Sequence, residues 1–262
     1  MQARSILITG ASSGIGRALA LAYARPGVSL LLTGRDSQRL DSTASAARAR
    51  GADVTTGLLD VRDQAAMAHW ITEADTRHPI DLVIANAGIT TGLASQQLAE
   101  EPAAVRAITA INLIGVFNTV EPVIAPMCAR GRGQIAFIGS IAGIRGLPYS
   151  PAYCATKAAV HAYSESLRGR LAARGVQVSL IIPGFVKTPM NENIASIKPL
   201  EITDAQAALI IRRGLEKGKS VIAFPQLLSL LARIARILPA SLVDKIMAGI
   251  EVSIPQTRER NY

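Results

Sequence analysis

The chain has 262 residues, 49% hydrophobic and 18% charged, which gives ample apolar surface for a packed core and too little charge for a disordered chain. With 28 Lys and Arg against 19 Asp and Glu, the formal net charge is +9; the arginines are scattered, without clusters or aromatic interleaving, so the excess points to an anionic cofactor or a membrane surface and not to nucleic acid. Two cysteines, Cys128 and Cys154, are too few for a disulfide scaffold and fit a reducing, cytoplasmic setting, while His69, His78 and His161 lack metal-ligand spacing.

Short apolar runs at 6–9, 29–33, 54–59, 82–85, 134–138, 176–182 and 220–223 read as strands, with longer segments of helical period between them. Several are apolar almost throughout, as expected where helices cover both faces of a parallel sheet. Because strand–helix–strand crossovers are right-handed, this order predicts an α/β fold: a doubly wound, Rossmann-type parallel sheet of about seven strands with helices on both faces. Its ligand crevice lies at the carboxyl ends of the strands. No linker or repeat divides 1–262, so one domain is expected, binding cofactor and carrying the chemistry. There is no signal-peptide pattern and no run of roughly 18 apolar residues, so neither secretion nor a spanning helix is expected.

The first strand leads directly into Thr9-Gly10-Ala11-Ser12-Ser13-Gly14-Ile15-Gly16-Arg17 and then an apolar helical pattern. Glycines at 10, 14 and 16 let the backbone turn tightly and approach a pyrophosphate, which the free N–H groups and positive dipole end of a helix N-terminus attract. Gly10, Ser12, Ser13, Gly14, Ile15 and Gly16 are therefore candidate cofactor contacts. The second strand ends Leu32-Thr33-Gly34-Arg35-Asp36. An acid there would hold the ribose hydroxyls of NAD, whereas Arg35 can pair with a 2′-phosphate, aided by Arg17, so NADP(H) is favoured over NAD(H). Asp36 is the counter-argument, since a small loop shift would turn its carboxylate toward the ribose.

Tyr153 and Lys157 stand four residues apart and share a helix face, and Ser140 ends the fifth strand. With the glycine loop upstream, the chain resembles the short-chain dehydrogenase/reductase family over nearly its whole length. The resembling motifs are the loop over 9–16, Asn86-Ala87-Gly88 after the fourth strand, Asn112, Ser140, Tyr153-Cys154-Ala155-Thr156-Lys157, and Pro183-Gly184 after the sixth strand. The resemblance implies hydride transfer between a nicotinamide and a carbonyl or secondary alcohol. It implies Tyr153 as proton donor and acceptor, Ser140 holding the substrate oxygen, Lys157 on the nicotinamide ribose, and Asn112 helping to retain a water. It further implies cofactor contacts from Asp60, Val61, Asn86, Ala87, Gly88, Pro183, Gly184, Val186 and Thr188, and a homo-dimer or tetramer. The chemistry is consistent with the residues: a Lys cation and an oxidised nicotinamide would both stabilise a phenolate. Tyr149 is expected to line the substrate pocket, and Tyr163 to pack on its helix.

After the sixth strand, residues 190–218 are expected to overhang the crevice as a substrate lid. Residues 225–250 read as C-terminal amphipathic helices. Leu227, Leu230, Leu231, Ile234, Ile237 and Leu238 fall on one face, Ser229, Arg233 and Arg236 on the other, and Leu242, Val243, Ile246 and Met247 continue the apolar theme. That stripe is expected to pack on the domain or a partner subunit, or to lie in a membrane interface. A small carbonyl or alcohol, apolar in character, suits either arrangement.

Overall fold

The computed structural model describes residues 3–90, 92–93, 97–192 and 198–248. Seven parallel strands form the main sheet: β1 (Ser5–Thr9), β2 (Ser29–Gly34), β3 (Asp53–Leu58), β4 (Leu82–Ala85), β5 (Gly133–Ile138), β6 (Val176–Pro183) and β9 (Val221–Phe224). A separate pair, β7 (Val186–Lys187) with β8 (Ile202–Thr203), lies beyond β6. The sheet order is β3-β2-β1-β4-β5-β6-β9, so connections from β1 run outward in both directions. The switch point falls between β1 and β4, where such sheets bind ligands.

The helices divide between two apolar layers. α1 (Gly14–Tyr23), α2 (Ser37–Arg48) and α7 (Asp204–Glu216) contribute Leu19, Leu40 and Ile211 to one, while α3 (Gln64–Arg77), α5 (Gly115–Arg130) and α6 (Pro151–Leu171) contribute Met67, Val120 and Val160 to the other. Covered on both sides, β1 is buried at every residue, whereas edge strand β3 alternates buried and exposed positions. α4 (Pro102–Thr109) continues through a π-turn at Ala110–Ile114 into α5. Pro102–Arg130 is thus a continuous helical run long and apolar enough to cross a membrane, but half of its most apolar stretch is buried within the domain, as befits a core helix.

Two expectations about the C-terminal third need correction. α7 lies inside 190–218 but is no lid: Ala207, Ala208, Ile211 and Leu215 are buried in the core, and Gly214 lets Ile222 of β9 approach closely. Among the described residues of this segment, Met190 and Asn191, before α7, line the cleft, and 193–197 lie outside the described residues. Helix α8 (Gln226–Ile237) faces the domain with its small residues, Ser229 buried and Ala232 packed on the core, while Leu227, Leu230, Leu231, Ile234 and Ile237 point to solvent. The apolar stripe therefore does not pack on its own domain. In α9 (Ala240–Ala248), Val243 is buried and Leu242 exposed; the side chains of Ile246 and Met247, and residues 249–250, lie outside the described residues.

Candidate active site

A cleft of about 1060 Å³ crosses the carboxyl ends of the strands. Gly10, Ser12, Ser13, Gly14, Ile15, Arg35, Asp60, Val61, Asn86, Ala87, Gly88, Ser140, Tyr153, Lys157, Pro183, Gly184, Val186 and Thr188 line it. Gly16 and Asn112 do not. A Cβ on Gly16 would stand 2.2 Å from the Gly10 carbonyl oxygen and 2.5 Å from Asn86 Nδ2, so this glycine is needed behind the loop, where helix and loop touch. Asn112 is fully buried in the π-turn; its Oδ1 accepts the Ile89 N–H at 2.8 Å and its Nδ2 donates to the Ile89 carbonyl at 2.9 Å. That pairing ties the segment after β4 to the helical layer.

Thr9 and Asn86 hold the glycine loop. The Thr9 hydroxyl accepts the N–H groups of Asn86 and Ala87, at 3.1 and 3.2 Å, and Asn86 Nδ2 donates to the Thr9 and Gly10 carbonyls, at 2.8 and 3.2 Å. Gly10 has φ +66°, and a Cβ there would meet Ala87 Cα at 2.8 Å. The strand ends are thereby locked together. The loop delivers the chain to α1, whose N-cap Ser13 makes no side-chain capping bond and whose first turn has no acid. With neither a cap nor an acid of its own there, the positive end of this helix and its early N–H groups suit phosphate oxygens. The cradle fits a dinucleotide.

At the far side, β2 ends at Gly34, and Arg35 and Arg39 both line the cleft. Asp36 lines the cleft as well, and its carboxylate is engaged: it caps α2 by accepting the Arg39 N–H at 2.9 Å and pairs with the Arg39 guanidinium at 2.7 Å. Arg35 lies 3.8 Å from Asp60, which pairs more closely with Arg62, at 2.6 Å. Arg17 is not among the cleft-lining residues, so the second cation is Arg39. The sequence signal for it was the four-residue step from Arg35 onto the first turn of α2.

The other end gathers the chemistry. Ser140 follows β5 and caps a short turn, Ile141–Gly143, its Oγ accepting the Ala142 N–H at 3.1 Å. Helix α6 begins beside it, with Pro151 at its first turn and Glu100 accepting the Ala152 N–H at 2.7 Å. The Ser140 hydroxyl stands beside the Tyr153 phenol. Burial pushes that phenol above its ordinary pKa, with the Ser140 hydroxyl pulling back. Lys157, 5% exposed, lies 5.7 Å from the Tyr153 ring centroid but donates to the Ile138 carbonyl at 2.9 Å. Its ammonium is held by the end of β5, on the same side as the Tyr153 ring. Burial lowers the Lys157 pKa to about 8, so the side chain is mostly charged at neutral pH.

Tyr149 does not line the cleft; its carbonyl accepts the Leu93 N–H at 2.8 Å. Tyr163 packs against Phe117 and Phe137 with centroids 4.6 and 5.8 Å away. Cys154 is buried, its sulfur accepting the Leu147 N–H and its pKa pushed up chiefly by burial, the setting of an idle thiol.

Residues 4–198 match the family model described as short chain dehydrogenase. The chain belongs to the short-chain dehydrogenase family. It is 36% identical over 245 residues to an uncharacterised oxidoreductase of Myxococcus xanthus, covering 93% of this chain and 96% of that one. It is 32% identical to a 3-oxoacyl-[acyl-carrier-protein] reductase of Thermotoga maritima, over 74% of this chain and 78% of the relative. Among solved structures, a short-chain dehydrogenase from Sphingobium yanoikuyae in complex with NADPH superposes with a TM-score of 0.78 at 26% identity, covering 94% of this chain and 96% of that one. As a short-chain dehydrogenase, the protein is an oxidoreductase that moves a hydride between a nicotinamide cofactor and a carbonyl or secondary alcohol.

Proposed function

We propose that this short-chain dehydrogenase is an NADP(H)-preferring carbonyl reductase or alcohol dehydrogenase, with Ser140, Tyr153 and Lys157 as its catalytic residues. The convergence of Tyr153 and Ser140 at one end of a cleft whose other end carries Arg35 and Arg39 supports it most strongly. β2 and β5 are separated by two intervening strands, so the two ends stand roughly 15 Å apart at the usual strand spacing. That span suits an extended dinucleotide. Ser13 to Ile15 at the head of α1 hold the pyrophosphate, and Val61, Asn86 to Gly88, Pro183, Gly184, Val186 and Thr188 line the path between the ends.

When bound, the nicotinamide supplies or accepts the hydride. In the reductive direction Ser140 orients the substrate oxygen by hydrogen bonding, and Tyr153 gives it a proton. Lys157, anchored on Ile138, provides positive charge beside the phenol and a donor toward the ribose. Asn112 braces the segment after β4 and is the family's counterpart of the water-holding asparagine. Titration with NADPH and NADH, followed by fluorescence, and turnover with a panel of a 2-alkanone, an aryl ketone and a 3-oxo ester test the reading. Absence of binding of either cofactor at high micromolar concentration would remove it.

NADP(H) preference is supported by the two arginines and by an Asp36 already engaged with α2. Replacing Arg35 and Arg39 together with Ala is expected to weaken NADPH binding about 10- to 100-fold, the loss of one or two charge-assisted hydrogen bonds, while NADH affinity changes little. Equal weakening of both cofactors would count against a 2′-phosphate site.

The reading extends to a cytoplasmic protein, supported by two unpaired cysteines, and to a homo-dimer or tetramer. Leu209, Ile210 and Val221 are exposed on α7 and edge strand β9 and offer a second copy an apolar contact; sedimentation velocity reads the state directly. Residues 189–192, before the second strand of the small pair, form the substrate-side overhang, and Met190 gives it an apolar tip. The outward stripe of α8, flanked by Arg233 and free of acids, supports contact with an anionic lipid surface. Co-sedimentation with phosphatidylserine vesicles is expected, and is expected to disappear when Leu230 and Ile234 are both replaced by Asp. Unchanged sedimentation of that variant would rule the contact out.

A further inference from the structure

Helix α6 presents three side chains to the end of β5, spaced four residues apart along one face. Tyr153 stands beside the Ser140 hydroxyl, Lys157 donates to the Ile138 carbonyl at 2.9 Å, and His161 Nε2 lies 3.3 Å from the Ser140 backbone nitrogen as its acceptor. The first two belong to the proposed chemistry; the third is not explained by it. Between Ile138 and Ser140, the Gly139 N–H is taken by the Ile181 carbonyl of β6, at 2.8 Å. Pairing of β5 with β6 ends at Ile138 and Ile181, so the Ser140 N–H is the first beyond that register. A backbone donor left without an acceptor in such a place is costly.

The surroundings are shaped for the imidazole. His161 is 8% exposed. A Cβ on Gly139 would stand 2.5 Å from its Nε2, and one on Gly143 would stand 2.8 Å from the same atom. Both positions facing the ring thus lack a side chain, and the ring reaches the backbone at the one point where Ser140 leaves the sheet.

We propose that His161 is a positioning residue: as a neutral imidazole protonated on Nδ1, it accepts the Ser140 N–H and fixes the Ser140 hydroxyl in register with Tyr153. The inference rests on the reading of Ser140 and Tyr153 as catalytic. Neutrality has its own physical support. Burial, then the positive charges of Lys157 on α6 and of Arg236 and Arg233 on α8, lower the His161 pKa to about 4. A ring protonated on Nε2 would instead present a donor to a donor.

Replacing His161 with Leu removes the acceptor, and replacing it with Gln returns one, since the Gln amide oxygen reaches about as far as Nε2. With NADPH and the best ketone of the panel, His161→Leu is expected to lose about tenfold in kcat, with the ketone KM and the NADPH dissociation constant within about twofold of the parent. His161→Gln is expected to recover most of the loss. Nitrogen-15 correlation spectra of the unmodified protein, which has 3 histidines, read the tautomer without any variant; an unprotonated Nε2 on His161 is expected at neutral pH. A protonated Nε2, an unimpaired His161→Leu enzyme, or equal loss in the Leu and Gln variants with a lowered Tm and a raised KM would each overturn the assignment. Tyr153→Phe run alongside separates the two readings: activity surviving in that variant undoes the catalytic assignment, while the tautomer still decides whether His161 holds Ser140.

Discussion

Replacing Tyr153 with Phe is expected to lower kcat/KM for ketone reduction about 10³-fold while NADPH affinity stays within about twofold, because the ring is kept and only the transferable proton is lost. The loss should be comparable in the alcohol-oxidising direction. The two directions differ in pH dependence, and the sign follows from burial. The Tyr153 phenol is pushed above its ordinary pKa, so the protonated form needed for reduction persists across neutral pH, and the reduction rate should be flat over roughly pH 6 to 8. Oxidation needs the phenolate, whose fraction grows as pH rises toward that pKa, so the oxidation rate should climb through the same range. Stopped-flow measurement at saturating cofactor reads both profiles. A variant retaining more than about a tenth of parental activity would show that another group moves the proton.

Replacing Gly16 with Ala is expected to damage fold and cofactor binding together. The added methyl would stand 2.2 Å from the Gly10 carbonyl oxygen, a backbone atom that cannot swing aside as a side chain would. Gly10 is itself pressed against Ala87 and held by Asn86, so the strain must spread into the loop or the head of α1. Overpacking of this kind costs about 3 kcal/mol, or roughly 6 to 12 °C in Tm for a domain of this size. NADPH affinity should fall at least about tenfold, because the loop can relieve the clash only by leaving the geometry that suits phosphate. Scanning fluorimetry with and without NADPH checks both effects. A parental Tm together with parental affinity would show that the loop has room that its packing does not reveal.

The periodicity of the chain carried most of the architecture. Strand starts and ends differ from those expected by a residue or so, because central strands buried on both faces announce themselves as apolar runs, and the glycines mark where β1 turns into α1. What periodicity could not convey was direction. The apolar stripe of α8 is plain in the sequence, yet it faces outward, because Ser229 and Ala232 are small enough to let the helix sit close against the domain. A helical wheel separates faces without saying which one meets the core. α7 was mistaken for part of a lid because its buried face is built largely from Ala and Gly, whose close packing on α1 and β9 gives a weak apolar signal. The π-turn around Asn112 was invisible, since one extra residue in a helical turn leaves the composition of Pro102–Arg130 unchanged.

At the site, spacing paired Tyr153 with Lys157 and motif order brought Ser140 to them. Spacing alone could not reveal that the Lys157 ammonium bonds to Ile138, since a carbonyl on another strand has no sequence signature. Likewise, the sequence showed of His161 only that it lacks metal-ligand spacing, because its partner is a backbone N–H. The step of four that led from Tyr153 to Lys157 leads onward to His161, and it was the available hint.

Helix α8 rests against both β9 and the turn at Ile141–Gly143, the turn that Ser140 begins. One helix diameter, about 10 Å, therefore separates the outward apolar stripe from the face that meets this turn. Leu228, close to Gly184 at the cleft wall, lies on the same helix. An outer apolar surface and a support of the turn that Ser140 begins are in this molecule two sides of one helix.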